Sequence, residues 1–460
     1  MMKKTYSALY FSLFIVFSFA QQSQTHWKSE LDFGGGISMT TFLRVDKSNN
    51  QFTITSPKNA DVRIFGGFKA RLGRLLGKSP KKGILLTING IQKGDSLFGN
   101  VKMPMFKNVR FRGVLKKDIF SGELIKNDTI SLGDVNSIKT NENKISYEYL
   151  FPKIEKITEN NIYSKKVLKT KKWRKFNKKI KKLFTNAQDD IEIFLGFNIL
   201  SSKLSFSHYN LFIQKKVDYS DTFLKDSDST KLAEKESTVI FQKKSNNVAY
   251  LKINNFSTSQ NELAKILPKI VENKYKNLII DLRNNGGGGV TAAFEFGKYV
   301  LNDSAEVGYF VTNKLKFSHF NEKLFKTLPN VKPFTTEEFA VDLKKVKGLK
   351  LIFPKSEKSV FKGNLYILTN NKTASTCEPI VYLLKNRKTA IIIGERTAGK
   401  MLSAAPFNIF GKYILGLPIA DFYTYDGVRI EGIGVKPDFE TTSDEALNKA
   451  LFLIKEQENK

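Results

Sequence analysis

The sequence predicts an α/β protein: a layered core in its second half, preceded by a small β-rich domain and a helical segment. Three observations carry that reading. After residue 240, short apolar runs alternate with helical periods at 248–253, 261–272 and 277–282, the order that builds a sheet covered by helices. Before residue 135 the chain is instead a series of short alternating segments at 41–45, 51–55, 83–88 and 109–112. Glycines and Asn/Asp/Ser clusters punctuate them, the pattern of a small barrel or sandwich. Between the two, residues 145–200 have helical spacing. The expected division is a leader at 1–20, a β-rich domain at 21–140, a helical segment at 141–215 and the core at 216–460.

Residues 1–20 have a basic start at Lys3 and Lys4, an apolar centre and small residues at Ser18 and Ala20. That is the pattern of a secretory signal peptide cleaved after Ala20. The run is short for a membrane span, so the mature chain is expected to be exported, to the bacterial periplasm or beyond. Cys377 is the single cysteine of 460 residues, so stability must come from core burial rather than a disulfide. Lys and Arg number 75 against 44 Asp and Glu, a formal net charge of +31. Such an excess can attract nucleic acid or anionic surfaces. Export and the lack of a nucleic-acid module argue against nucleic acid. A weak attraction to an anionic envelope surface is the residual expectation, beside a plainly solvated basic surface.

In the helical segment, apolar residues at 173, 176, 180, 183 and 184 form one face and lysines the other. The expectation is a helix docked on the core with its basic face in water, rather than one lying in a membrane surface. Asp189, Asp190 and Glu192 begin the next helix. The piece 86–90 has a faint PDZ-like look but is too short and too far upstream, so no PDZ domain is expected. Residues 300–360, rich in lysine, read as a lid or substrate-binding insertion, and 445–455 as a terminal helix packed on the core.

The chemistry gathers in two stretches of the core. Leu365 to Leu368 is a buried-strand run, followed by a polar turn and by Thr373-Ala374-Ser375-Thr376-Cys377-Glu378 leading into a helix. A strand turning sharply into a helix can hold a small nucleophile where the helix dipole and free amides favour negative charge. Ser375-x-x-Glu378 is equally a capping box, which needs no chemistry. The second stretch is a strand at 277–282 running into Arg283-Asn284-Asn285 and four glycines, Gly286 to Gly289. Without Cβ atoms such a turn brings its amides close to a substrate. With the Thr376 amide it would form an oxyanion hole.

Together these stretches resemble the tail-specific, carboxyl-terminal processing family of serine peptidases. The matches, in order, are DLRNNGGG at 281–288, TASTCE at 373–378, GERTAGK at 394–400 and EGIGVKPD at 431–438. Gly286 stands where the family has proline, and Cys377 where it has a second serine. The resemblance implies a crotonase-like α/β core and peptide-bond hydrolysis through an acyl-enzyme at Ser375. The Gly287 and Thr376 amides are expected to hold the oxyanion.

Two bases are implied, one by each branch of the family. In the tricorn-like branch a histidine takes the serine proton and a late glutamate orients it. His208, one of three histidines, and Glu431 stand at those positions, with Ser207 assisting. In the other branch the base is the lysine of the GE-x-T-x-GK turn, here Lys400, which would need a strongly lowered pKa. That branch also carries a glutamine where this chain has Ala404, so His208 is favoured and Lys400 is the rival. His319 has no counterpart and is expected at the surface. No cofactor is expected, since three scattered histidines and one cysteine give no zinc spacing. The polyglycine turn also lacks the Lys-Ser/Thr of a phosphate loop. The expected partner is a polypeptide substrate. The alternative is a catalytically inactive binder of hydrophobic ligands or peptides on the same fold, as in interphotoreceptor retinoid-binding protein.

Overall fold

A computed structural model describes residues 23–459, except 35, 59, 67–70, 73, 74, 76–81, 105, 106, 143, 215–236 and 333–335. The leader expected at residues 1–20 lies outside the described residues. The chain divides into two compact units.

The first unit takes in described residues of 23–59, 84–145 and 188–191. It is a closed antiparallel barrel of eight strands. They are β1 (Ser23–Asp32), β2 (Ser38–Ser48), β3 (Gln51–Thr55), β4 (Thr87–Lys93), β5 (Ser96–Lys102), β6 (Val109–Leu115), β7 (Phe120–Lys126) and β8 (Ile130–Lys139). Alternation sets which face is inside: Phe52 and Ile54 are buried, as are Val109 and Phe111, whereas Arg110 and Arg112 point to water. The interior closes on Trp27, Phe111 and Phe120, with ring centroids 5.7 and 5.9 Å from Phe120. The β7–β8 turn has positive φ at Asn127 and Asp128, 51° and 65°, the residue types that adopt that region most cheaply. Pairing of β1 with β8 leaves no free edge. Residues 84–86, read as strand from sequence, are irregular although Ile84 and Leu86 are buried, and β4 starts at Thr87. Strand β5 escaped notice because Gly99 and Asn100 are poor strand formers, and it forms by pairing on both sides.

The second unit contains helices Leu150–Asn161 and Lys171–Asn186. The latter buries Trp173, Phe176, Ile180, Leu183 and Phe184, the docked arrangement expected from their spacing. Strand β9 (Asn210–Ile213) follows, then two sheets. The larger has the order β10 (Val239–Lys243), β11 (Val248–Ile253), β12 (Asn277–Asp281), β15 (Asn364–Thr369), β16 (Ala390–Gly394) and β19 (Phe439–Glu440). All its pairs from β11 onward are parallel. Every residue of β12 is buried, as parallel strands covered on both faces require. The terminal helix Ala446–Glu458 packs Ala446, Ala450 and Ile454 against Tyr250, Ile279, Tyr366 and Leu368 of this sheet.

The second sheet is antiparallel, in the order β14 (Gly348–Phe353), β13 (Ala305–Thr312), β18 (Tyr413–Thr424) and β17 (Ser403–Phe410), with β9 also on β18. Residues 300–360 are thus no mere cover: they supply β13 and β14, along with helices Glu322–Lys326 and Thr336–Lys345. The lysines of this stretch lie mainly in the segments between and after the strands: β13 has none and β14 only Lys350. Among the described residues no helix is long and apolar enough to cross a membrane.

Candidate active site

The three motif turns of the core leave the C-terminal ends of adjacent parallel strands β12, β15 and β16, where open α/β sheets collect their ligand-binding loops. Asp281 ends β12 fully buried, held by the Tyr250 hydroxyl at 2.7 Å and by Arg283 Nε at 2.9 Å. The first two turns are then pinned to each other. Asn284 N donates to Asn370 Oδ1, and Asn370 Nδ2 donates back to Asn284 Oδ1, both at 3.0 Å. Thr373 Oγ1 donates to Leu282 O at 2.8 Å, and Ala374 N to Asn285 O at 3.0 Å. Gly287, with φ +95°, is thereby pressed against Ser375: a Cβ there would lie 2.6 Å from the serine Cβ.

Ser375 has φ +56°, a left-handed conformation that costs a non-glycine residue energy and must be held by its surroundings. Glu378 does the holding. Its fully buried carboxylate accepts Ser375 N at 3.0 Å, Thr397 Oγ1 at 2.7 Å, Gly399 N at 2.6 Å and Lys400 N at 2.8 Å. Burial pushes the Glu378 carboxyl above its ordinary value, and these donors pull against that. The capping reading of Ser375-x-x-Glu378 is therefore half right. The glutamate reaches back to the serine amide, but the serine side chain makes no cap, and the helix Cys377–Asn386 has Thr376 as its N-cap. Among the described residues Ser375 Oγ has no hydrogen-bond partner. Glu378→Gln would turn an amide nitrogen toward backbone donors, and is expected to cost about 2–3 kcal/mol in urea unfolding.

The histidine comes from the segment before β9. His208 has φ +62° and lies beside Ser207, whose Oγ is 2.7 Å from His208 Nδ1 and donates to Glu431 Oε2 at 3.0 Å. A serine hydroxyl has one hydrogen, and here the carboxylate takes it. His208 Nδ1 must then be the donor to Ser207, which leaves Nε2 bare and able to accept a proton. Glu431, 3% exposed, is itself anchored by the amides of Ser207 (2.8 Å), Met401 (2.7 Å) and Leu402 (3.2 Å). The glutamate thus reaches the histidine through Ser207 rather than directly.

Ser375, Thr376, Gly288 and His208 line one cavity of about 180 Å³, walled by Phe310, Phe339, Leu351 and Phe353. Of the expected oxyanion donors, Thr376 lines this cavity. The Gly287 N–H donates to Asn285 Oδ1 at 2.9 Å, inside its own turn. Gly288, with φ +141°, is the glycine that lines the cavity, and the Thr376 hydroxyl donates to its carbonyl at 2.6 Å.

Lys400 is exposed and lines a neighbouring cleft with Ser207, His208 and Glu431, not the cavity of Ser375. Burial holds the His208 imidazole below its ordinary 6.5; Glu431 raises it and Lys400 lowers it further. The Cys377 thiol is fully buried, 3.7 Å from Asn285 O, and burial pushes it far up, so it is packing rather than a nucleophile. His319 is exposed on Ser318.

A serine on a strained strand-to-helix turn thus shares a cavity with a histidine in an α/β domain. Residues 247–441 match the model of peptidase family S41, and the chain carries a domain of that family. Carboxyl-terminal-processing peptidase 1, chloroplastic, of Arabidopsis thaliana is 23% identical over 181 residues, 39% of this chain and 30% of that protein. The carboxy-terminal-processing protease of Bartonella bacilliformis is 26% identical over 183 residues, 40% of this chain and 35% of that protein. The match spans about a third of the length of these relatives. Among solved structures, the photosystem II D1 C-terminal processing protease has a TM-score of 0.34 at 21% identity, over 45% of this chain and 49% of that one. The tricorn protease has a TM-score of 0.43 at 13% identity, over 95% of this chain and 59% of that one.

Proposed function

We propose that this protein is an exported serine endopeptidase that hydrolyses polypeptides through an acyl-enzyme at Ser375, on a crotonase-like core at 216–460. The observation that carries this is the cavity shared by Ser375, His208, Gly288 and Thr376. His208 Nε2 takes the hydroxyl proton as Ser375 Oγ attacks the scissile carbonyl, and returns it to the leaving amine. Ser207 and Glu431 hold the imidazole in the tautomer this needs. The amides of Gly288 and Thr376 receive the oxyanion. The phenylalanine-rich wall favours an apolar side chain next to the scissile bond. Water attack on the ester, with the same base, completes the turnover. Incubation with casein, with products mapped by mass spectrometry, tests the reading. Fragments are expected with the parent protein and with Lys400→Gln, and none with Ser375→Ala. Apolar-ligand binding with no fragments from any of these proteins would favour the inactive binder.

The pH dependence has a definite sign. The free imidazole is the base, so kcat/KM is present above the His208 pKa and falls as pH drops through it. That acid limb is expected below 6.5, because burial lowers the group. Lys400→Gln removes a cation that lowers it further, and is expected to move the limb to higher pH, read from kcat/KM against pH.

A further inference from the structure

We propose that the helix Lys171–Asn186 is a docking surface for anionic lipid bilayers, held by electrostatics alone. Eight of its sixteen residues are Lys or Arg and none is acidic. Lys171, Lys172, Arg174, Lys175, Lys178, Lys181 and Lys182 are exposed. The basic region continues beyond the helix: Lys179 Nζ donates to Arg63 O at 3.3 Å, and Lys82 and Lys182 share Asp61. Those two lysines hold the Asp61 carboxyl down at about 2. Among the described residues, Glu155 and Glu159 are the acids lining the groove that Arg174, Lys178 and Lys181 also line. Cations remain in large excess.

The occupant follows from charge and from what the helix has already spent. An interfacial amphipathic helix would immerse its Trp and Phe face in the acyl region. Here that face is taken: Trp173 packs on Phe206 and Tyr209 at 6.2 and 5.7 Å, and Phe176 on Tyr209 at 5.8 Å. What remains is a rigid plane of mostly lysine ammonium groups, point charges suited to the diffuse field of a phosphate-bearing surface rather than to bidentate recognition. The aromatic contacts also tie the helix to the two residues that flank Ser207 and His208, so docking would fix the surface next to the loop of the histidine.

Vesicle flotation with the full chain tests this, comparing phosphatidylglycerol mixed into phosphatidylcholine with phosphatidylcholine alone. The readout is the difference between the two, to which the apolar run near the N-terminus contributes equally. Lys171→Gln, Lys172→Gln, Lys175→Gln and Lys178→Gln combined are expected to lower that difference at least about tenfold. A control with the exposed Lys265, Lys269, Lys276 and Lys362 changed to Gln loses the same charge and is expected to retain it. Raising salt from about 0.1 M to about 1 M shrinks the screening length from about 10 Å to about 3 Å and is expected to release the protein. Brominated acyl chains are expected to leave tryptophan fluorescence unquenched. Equal loss in both quadruple variants would reduce the effect to net charge and overturn the proposal. So would quenching, salt-resistant binding, or a preference for poly-glutamate over the anionic vesicles.

Discussion

His208→Asn is expected to lower kcat/KM for a peptide substrate by a factor of about 10²–10⁴ with little loss of stability. Asparagine is chosen because it accepts the left-handed backbone that His208 has, at φ +62°, more cheaply than alanine does. The size of the effect follows from the division of labour. An alcohol is a poor nucleophile until a neighbour takes its proton, and Lys400, exposed in the neighbouring cleft, does not line the cavity of Ser375. Ser375→Ala is expected to do at least as much damage, and the double variant to be little worse than Ser375→Ala, because the pair acts as a unit. Steady-state rates of the three proteins, with urea midpoints to report stability, check this.

Gly287→Ala is expected to remove most activity and to destabilise the core. The glycine has φ +95°, a region that costs an L-residue about 1–3 kcal/mol. The added methyl would also stand 2.6 Å from Ser375 Cβ and 2.9 Å from both Ala374 O and Thr376 N. The nearest atoms are backbone or the nucleophile itself, so relief must displace the serine or the Thr376 amide. Losing one well-placed oxyanion donor alone costs about 10²–10³ in kcat. The Gly287 N–H is already bonded to Asn285 Oδ1, so the expected damage is steric. Asn285→Ala discriminates: it frees the Gly287 N–H, now held at 2.9 Å, without filling any space. It is expected to lose less activity than Gly287→Ala in the same assay.

What the sequence made legible is what short-range patterning encodes. Strand β12 is five consecutive buried residues, and 277–282 reads as a strand without help. The face of the basic helix follows from spacing because its five buried residues repeat at helical intervals. Ser375, His208, Glu431 and the glycine turn were named from ordered motifs, and three of those features share a cavity while the fourth reaches it through Ser207. The failures are of another kind. Strands β13 and β14 were hidden by the lysines of the segments that flank them, although β13 itself has none and β14 only Lys350. Glu378 was legible as a capping residue, but not as the carboxylate that gathers donors from Ser375, Thr397, Gly399 and Lys400, because that needs two turns to meet. The hydrogen bond from Gly287 N to the Asn285 side chain was illegible for the same reason. A run of four glycines has no internal landmark.

The central claim is that Ser375 Oγ is an activated nucleophile and His208 its base. Labelling with a fluorophosphonate, which phosphonylates only a serine able to lose its proton, measures that without knowledge of the substrate. The parent protein and Lys400→Gln are expected to label, His208→Asn to label far more slowly, and Ser375→Ala not at all. Labelling that survives Ser375→Ala, or that is lost in Lys400→Gln and kept in His208→Asn, would contradict the account.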